Sequence, residues 1–192
     1  MKIVADFHIH SKYARATSPD MNLENLDKWA KIKGIKIIST GDFTHPAWFK
    51  EIKEKLEPAE QGLYKLKGSN RQTRFILTTE ISCIYTKNGS GRRVHLLLFA
   101  PSFEAVEQIN AQLGLIGNIK SDGRPILGID AKEVVRICLA ASPDCMVVPA
   151  HCLPPGSIVH TQDNLTKYIE DIQEGDLVDT HEVRWRKVTE TF

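Results

Sequence analysis

Nowhere do two of the four cysteines (Cys83, Cys138, Cys145 and Cys152) stand at Cys-x-x-Cys spacing. This excludes a zinc knuckle and a disulfide scaffold. No apolar run approaches the roughly 18–20 residues that span a bilayer as a helix. The opening Met1-Lys2-Ile3-Val4-Ala5-Asp6-Phe7-His8 lacks the uninterrupted apolar stretch of a signal peptide. The composition therefore predicts a soluble, cytoplasmic protein with no membrane partner. A strong charge of one sign is also missing, since the net charge is +1. That balance conceals a shift: residues 1–151 carry 21 basic and 16 acidic side chains, and residues 152–192 carry four and eight. The change of sign after His151 suggests two joined modules. The basic excess of the first is compatible with a polyanionic substrate but does not specify one.

What is present is a core-forming pattern, 42% apolar over 192 residues. Ile3–Phe7 is strand-like and runs into His8-Ile9-His10. Asn22 is placed to cap a helix in which Leu23, Leu26, Trp29 and Ala30 recur at helical spacing until Gly34. The β-branched run Ile35–Thr40 predicts a strand ending at Gly41-Asp42. Pro46 suits the first position of a helix carrying Trp48, Phe49, Ile52 and Leu56. A strand is expected over 74–79, ending at Glu80. Asn88-Gly89-Ser90-Gly91 is a hairpin turn between 81–86 and 92–99. Helices are predicted over 103–113 and 131–141, and a last strand over 145–148 delivers His151. Such alternation predicts an α/β fold with a largely parallel sheet or barrel, its polar residues at strand ends. His95 fits that scheme only if its strand runs antiparallel across the site. Beyond Cys152 the texture is β-rich, with short strands expected over 157–161, 176–180 and 184–191 and a turn at Gln173-Glu174-Gly175.

His8-Ile9-His10 places two imidazoles on one side of an extended segment, because strand side chains alternate. Asp42, Glu80, His95 and His151 also end or flank apolar strands. Imidazoles mixed with carboxylates suit Zn²⁺, with Mn²⁺ or Fe²⁺ as alternatives, and the hydrolytic chemistry of bound divalent ions. Taken singly, each has a structural explanation: Asp42 as a turn or cap residue, Glu80 as a strand carboxylate, His95 as a core histidine. His45, next to Pro46, is read as a loop residue.

As a set, Asp6-Phe7-His8-Ile9-His10-Ser11, Thr40-Gly41-Asp42, Thr79-Glu80, Val94-His95 and Pro149-Ala150-His151 resemble the successive motifs of the PHP (polymerase and histidinol phosphatase) family. Within it, the stretches 10–15, 40–46, 74–80 and 93–99 are similar to the endonuclease Q type. The resemblance covers residues 1–151. It implies a distorted β/α barrel, incomplete here, holding two or three divalent ions when complete. It implies His8, His10, Asp42, Glu80, His95 and His151 as metal ligands, and Lys12, Arg15 and Arg93 as phosphate contacts. The implied activity is hydrolysis of DNA on the 5′ side of deaminated bases and abasic sites, with damaged DNA as partner. Two departures qualify it. Phe43 stands where many members have a histidine, and this stretch does not reach the family's closing Asp-x-His motif. The site in this chain is therefore expected to be short of ligands and inactive until completed.

From Cys152, the blocks Cys152-Leu153-Pro154-Pro155-Gly156-Ser157-Ile158-Val159 and Tyr168–Val178 resemble the N-terminal part of an intein of the Hint fold. That resemblance implies Cys152 as a splicing nucleophile and His151 as the acyl donor. The thiol would attack the His151 carbonyl in an N-to-S shift. Inteins also need a Thr-x-x-His block, a terminal Asn and a following nucleophile, none recognisable here, so a C-terminal intein and extein fragment is the expected partner. The residues thus predict a PHP-type domain over 1–151 and an intein segment over 152–192. Two alternatives stand beside the DNA endonuclease: a small-molecule phosphatase of the histidinol-phosphate kind, and a splicing precursor with no hydrolase activity of its own.

Overall fold

The computed structural model describes residues 2–69, 73–151, 156–162, 165–179 and 185–188. It divides into two compact units, residues 1–150 and 151–192. The first unit holds an eight-stranded mixed sheet with four helices among its described residues. In chain order these are β1 (Ala5–Asp6), α1 (Leu23–Lys33), β2 (Ile37–Ser39), α2 (Pro46–Lys55), β3 (Leu56–Pro58), β4 (Tyr64–Leu66), β5 (Arg74–Lys87), β6 (Ser90–Ala100), α3 (Phe103–Ile116), β7 (Ile126–Leu127), α4 (Ala131–Ala141) and β8 (Met146–Pro149).

Local chemistry accounts for these boundaries. The Asn22 side chain accepts from the Asn25 N–H (2.9 Å) to start α1. Gly34 ends it at φ 72°, its N–H reaching the Ala30 and Lys31 carbonyls. Pro46 opens α2. Asn88 and Gly89, at φ 53° and 75°, form a two-residue turn with Lys87 paired to Ser90. Positive φ at both positions is what a tight hairpin requires.

The sheet is less parallel than the sequence predicts. β1–β2, β2–β5 and β5–β7 are parallel. β3–β4, β4–β5, β5–β6 and β6–β8 are antiparallel. The long hairpin dictates this: β5 runs unbroken for 14 residues through Glu80, where the sequence reading placed a strand end. His95 on β6 accordingly lies on an antiparallel strand. The β3–β4 hairpin and β7 have no counterpart in the sequence reading. Pro149 sits at the end of β8, which pairs only with β6, a position where a missing N–H costs no ladder bond.

The core lies between this sheet and its helices. Phe75, Leu77 and Ile81 of β5, Leu98 of β6, Trp48 and Ile52 of α2, and Ile109 and Leu113 of α3 are fully buried. Burial of each such side chain contributes about 1.5–3 kcal/mol. The Trp48 indole N–H donates to the carbonyls of Thr40 (3.2 Å) and Gly41 (2.9 Å), which ties the core to the loop after β2.

The second unit contains two antiparallel pairs, β9 (Ile158–His160) with β10 (Thr166–Tyr168), and β11 (Leu177–Asp179) with β12 (Trp185–Lys187). A 3-10 turn (Ile169–Asp171) follows β10. Lys167 pairs with Asp176 at 2.8 Å, and the Gly156 N–H binds the Glu170 carboxylate. None of its described apolar side chains is fully withdrawn from solvent. Cys152 and the outer parts of the strand predicted over 184–191 lie outside the described residues. Among the described residues no helix is long and apolar enough to cross a membrane.

Candidate metal centre

His8 and His10 follow β1 directly, and Asp42 follows β2, its parallel neighbour. The chain beyond β2 is stitched to β5 by Thr40 N–H to the Ile76 carbonyl (2.9 Å), Gly41 N–H to Thr78 Oγ1 (3.2 Å) and Phe43 N–H to the Thr78 carbonyl (3.2 Å). Ser39 at the end of β2 pairs with Ile76, so Glu80 lies beyond that end, just past the loop stitched to Thr78, although it is in the middle of its own strand. Register places Glu80 opposite Leu97 and His95 opposite Ser82. A spacing of two puts Glu80 and His95 on one face of the sheet.

Three imidazoles converge on this one carboxylate. His8 Nε2 and His10 Nε2 lie 2.9 and 3.0 Å from Glu80 Oε2, and His95 Nδ1 lies 2.6 Å from Oε1. Donor atoms of His8, His10 and Glu80 all fall within 4.8 Å of one another. The Glu80 side chain is 1% exposed, whereas the histidines keep 23–31%, so the centre opens to solvent on the imidazole side.

Asp42 is fully buried and both its oxygens are engaged. Oδ1 faces His10 Nδ1 at 2.9 Å, and Oδ2 accepts from the Ser11 N–H (2.5 Å) and hydroxyl (2.7 Å). Two glycines permit this geometry. Gly41 adopts φ 62°, and a Cβ there would stand 2.4 Å from the Ile9 carbonyl oxygen; a Cβ on Gly123 would stand 2.4 Å from Asp42 Oδ2. Asp42 itself has φ 52°, a conformation aspartate tolerates better than most residues.

Charge follows from contact. Hydrogen bonds to Asp42 first and Glu80 second raise the His10 pKa to about 9, against the opposing effect of burial. For Glu80, burial is the largest influence and pushes upward. The hydrogen bonds from His10 and His8 together outweigh it and hold the carboxyl well below the usual range. Asp42 fixes the orientation of the His10 ring and leaves Nε2 turned toward Glu80, the arrangement by which carboxylates orient metal-binding histidines. Both ring nitrogens of His10 face a carboxylate oxygen, so the ring either carries two protons or gives Nε2 to a metal ion. By donor chemistry and spacing, this set could hold a metal ion.

The remaining candidates make contacts of their own. Lys12 pairs with Glu51 (2.8 Å) and Arg15 with Asp122 (3.3 Å), the latter with 80% of its side chain exposed. Arg93 is exposed on β6. His45 Nε2 is 3.0 Å from the Lys120 carbonyl and its ring stacks on Tyr13; burial lowers its pKa. Phe43 is fully buried. His151 begins the second unit with φ 60°, just after Ala150, whose N–H donates to the His95 carbonyl (2.9 Å). The sequence reading passed over the loop between α3 and β7. There Gly123 packs on Asp42, and Arg124 Nη1 lies 3.8 Å from Glu80 Oε2. The run Asp122-Gly123-Arg124-Pro125, a polar turn between two helical patterns, was the available signal.

Among known proteins, no family model matches the chain. An uncharacterized protein of Methanocaldococcus jannaschii is 38% identical over 188 residues, 97% of this chain and 21% of the relative. Two solved structures share the fold. A lesion-specific endonuclease from Pyrococcus furiosus is 31% identical with a TM-score of 0.65, over 78% of this chain and 34% of that one. Endonuclease Q bound to a 27-mer duplex with an abasic lesion at its active site is 32% identical with a TM-score of 0.66, over 78% and 35%. The chain thus spans about a fifth of the curated relative and about a third of the endonuclease chains.

Proposed function

We propose that the first unit is the N-terminal part of a metal-dependent endonuclease of the endonuclease Q type, acting on DNA at damaged bases or abasic sites. The observation that carries this is the convergence of His8, His10 and His95 on the buried Glu80 in a fold matched by a lesion-specific endonuclease. His8, His10, Glu80 and His95 would hold the ion. His151, one residue beyond the Ala150–His95 backbone bond, would join them. Asp42 acts through His10, since both its oxygens are committed within the protein. A bound divalent ion supplies Lewis-acid activation of water and stabilisation of charge on the phosphoryl group. The chain's own residues would orient the imidazoles, exclude solvent on the Glu80 side and fix the His10 ring against Asp42. To test this reading, the chain is titrated with Zn²⁺ and Mn²⁺ after chelator treatment. The completed protein is then assayed on duplexes with and without an abasic site, beside a phosphomonoester. Failure to bind either ion, or turnover of the phosphomonoester alone, refutes it.

A second element of the proposal concerns residues 152–192. The two endonuclease structures match 78% of the chain, about the share made up by the 150-residue first unit. The Methanocaldococcus relative matches 97%. This difference favours an insertion after His151 that the relative shares. With the intein-like blocks, it supports reading Cys152 as a splicing nucleophile. Its thiol would add to the His151 carbonyl, the peptide nitrogen of Cys152 would leave as the free amine, and a thioester would result. Mass spectrometry after incubation with dithiothreitol checks this. Release of residues 1–151 that is abolished by Cys152→Ala is expected, and an uncleaved chain refutes it. A metal site that depends on His151 would then reach its final form only after splicing.

A further inference from the structure

We infer that Arg124 is the residue that grips the phosphate of a nucleic-acid backbone at the metal centre, held for that task by a loop fastened to the metal-binding segments. The inference rests on the endonuclease reading and adds the substrate contact it lacks.

Three features of the loop point there. The first is proximity. Arg124 Nη1 lies 3.8 Å from Glu80 Oε2, while 43% of the Arg124 side chain remains exposed. The guanidinium thus borders the ion site and faces solvent at once. At 3.8 Å it stands beyond hydrogen-bonding range of that oxygen, so the contact is electrostatic and leaves the planar fork of donors for a second acceptor. Arginine stays charged at any working pH, and its fork matches a phosphate in bidentate fashion.

The second is anchorage. The Gly123 N–H donates to the Tyr13 carbonyl (3.0 Å), and the Ser82 N–H donates to the Pro125 carbonyl (3.0 Å). Arg124 is therefore clamped between neighbours fixed to the His8–Tyr13 segment and to β5. Its own N–H donates to Asp122 Oδ1 (3.1 Å), which also accepts from the Arg15 N–H (3.3 Å). His45 Nε2 meets the Lys120 carbonyl (3.0 Å) at the start of the loop. Gly123 is confined against Asp42, where a Cβ would strike Oδ2 at 2.4 Å. A side chain launched from a backbone held on both sides loses little further freedom when it binds, so its donors are preorganised.

The third is the state of the other cations. Lys12 is neutralised by Glu51 (2.8 Å), and Arg15 is paired with Asp122 (3.3 Å), where it helps fasten the loop. Among the described residues, Arg124 is the lysine or arginine recorded in an ion pair with the metal-binding carboxylate. When a divalent ion occupies the histidines and Glu80, the carboxylate's charge is taken up by the ion. The guanidinium then turns to an incoming phosphate.

The test compares the full 192-residue chain with Arg124→Ala, Arg124→Lys and Arg136→Ala variants, all loaded with Zn²⁺. Binding of a fluorescein-labelled duplex with an abasic site is followed by anisotropy from low to moderate salt, and bound zinc is counted by mass spectrometry. Loss of one phosphate contact lowers the slope of log affinity against log salt by about one. Arg124→Ala is expected to show that loss with unchanged zinc, Arg124→Lys to recover most of the slope, and Arg136→Ala, which removes an exposed α4 charge paired with Glu133, to keep it. A slope unchanged in Arg124→Ala, or zinc lost in proportion to DNA binding, overturns the inference and makes Arg124 a structural partner of Glu80. A zinc-loaded chain that binds no DNA overturns it as well. If the unaltered chain binds neither Zn²⁺ nor Mn²⁺, the endonuclease reading itself falls.

Discussion

Replacing Gly41 by alanine separates two costs that glycine avoids at once, provided Gly34→Ala is measured beside it. Both glycines have left-handed backbones, φ 62° and 72°, but a Cβ at Gly34 meets nothing within 4 Å, whereas at Gly41 it stands 2.4 Å from the Ile9 carbonyl oxygen. The backbone penalty is common to both and amounts to about 1–2 kcal/mol. Gly34→Ala should cost that and little more. At Gly41 real Cβ contacts do not fall below 3.0 Å, so the Ile9 carbonyl must retreat by at least roughly 0.6 Å, and that oxygen is backbone that cannot rotate aside. Overpacking of this kind adds about 1–3 kcal/mol, for a total of about 2–5. The displaced peptide joins Ile9 to His10, so the 2.9 Å contact between His10 and Asp42 stretches with it, and zinc affinity should fall while Gly34→Ala leaves it unchanged. Urea unfolding of the chelator-treated proteins gives the stability difference, and competitive zinc titration gives the second readout. Equal stability of the two variants within about 0.5 kcal/mol, or full zinc affinity in Gly41→Ala, would refute the reasoning.

Further outcomes follow from the same geometry. In Asp42→Asn, His10 loses its strongest proton-holding partner, so its pKa measured by NMR should drop from about 9, and zinc affinity should weaken about 10–100-fold. Without metal, the raised His10 pKa stabilises the folded state by about 3 kcal/mol. That contribution is complete below the unfolded value of 6.5 and fades as pH rises toward about 9. Urea midpoints of chelator-treated protein should therefore decline over that window, with a smaller decline in His10→Gln. Burial pushes the thiols of Cys83 and Cys138 up to about 11 and about 12, and Cys145 is buried beside Cys138. A thiol reagent at pH 8 should leave all three unmodified until the protein unfolds. Rapid labelling of Cys83 in the native state would contradict that burial.

The sequence by itself determined the elements whose signals are local. Asn22 and Gly34 bound α1, Pro46 opens α2, and Asn88-Gly89 makes the hairpin, because capping, a missing N–H and positive φ are properties of a few adjacent residues. It also marked His8, His10, Glu80 and His95, since motif spacing survives without coordinates. Tertiary structure alone decided what these residues do to one another. Glu80 looked like a strand end because the polar residue interrupts an apolar run. Instead β5 continues through it, beyond the point opposite Ile76 where β2 stops. Asp42 was marked by its motif, and the fold sets its two oxygens against His10 and Ser11. Arg124 stood only in a polar turn, with nothing in the sequence to assign it a partner. Its place beside Glu80 follows from Gly123 fitting against Asp42 and from two backbone bonds made 43 and 110 residues away in the chain. Hydrogen bonds between distant segments leave no periodic trace in a sequence, so the pairing of a charge with its partner becomes visible only after the chain has folded.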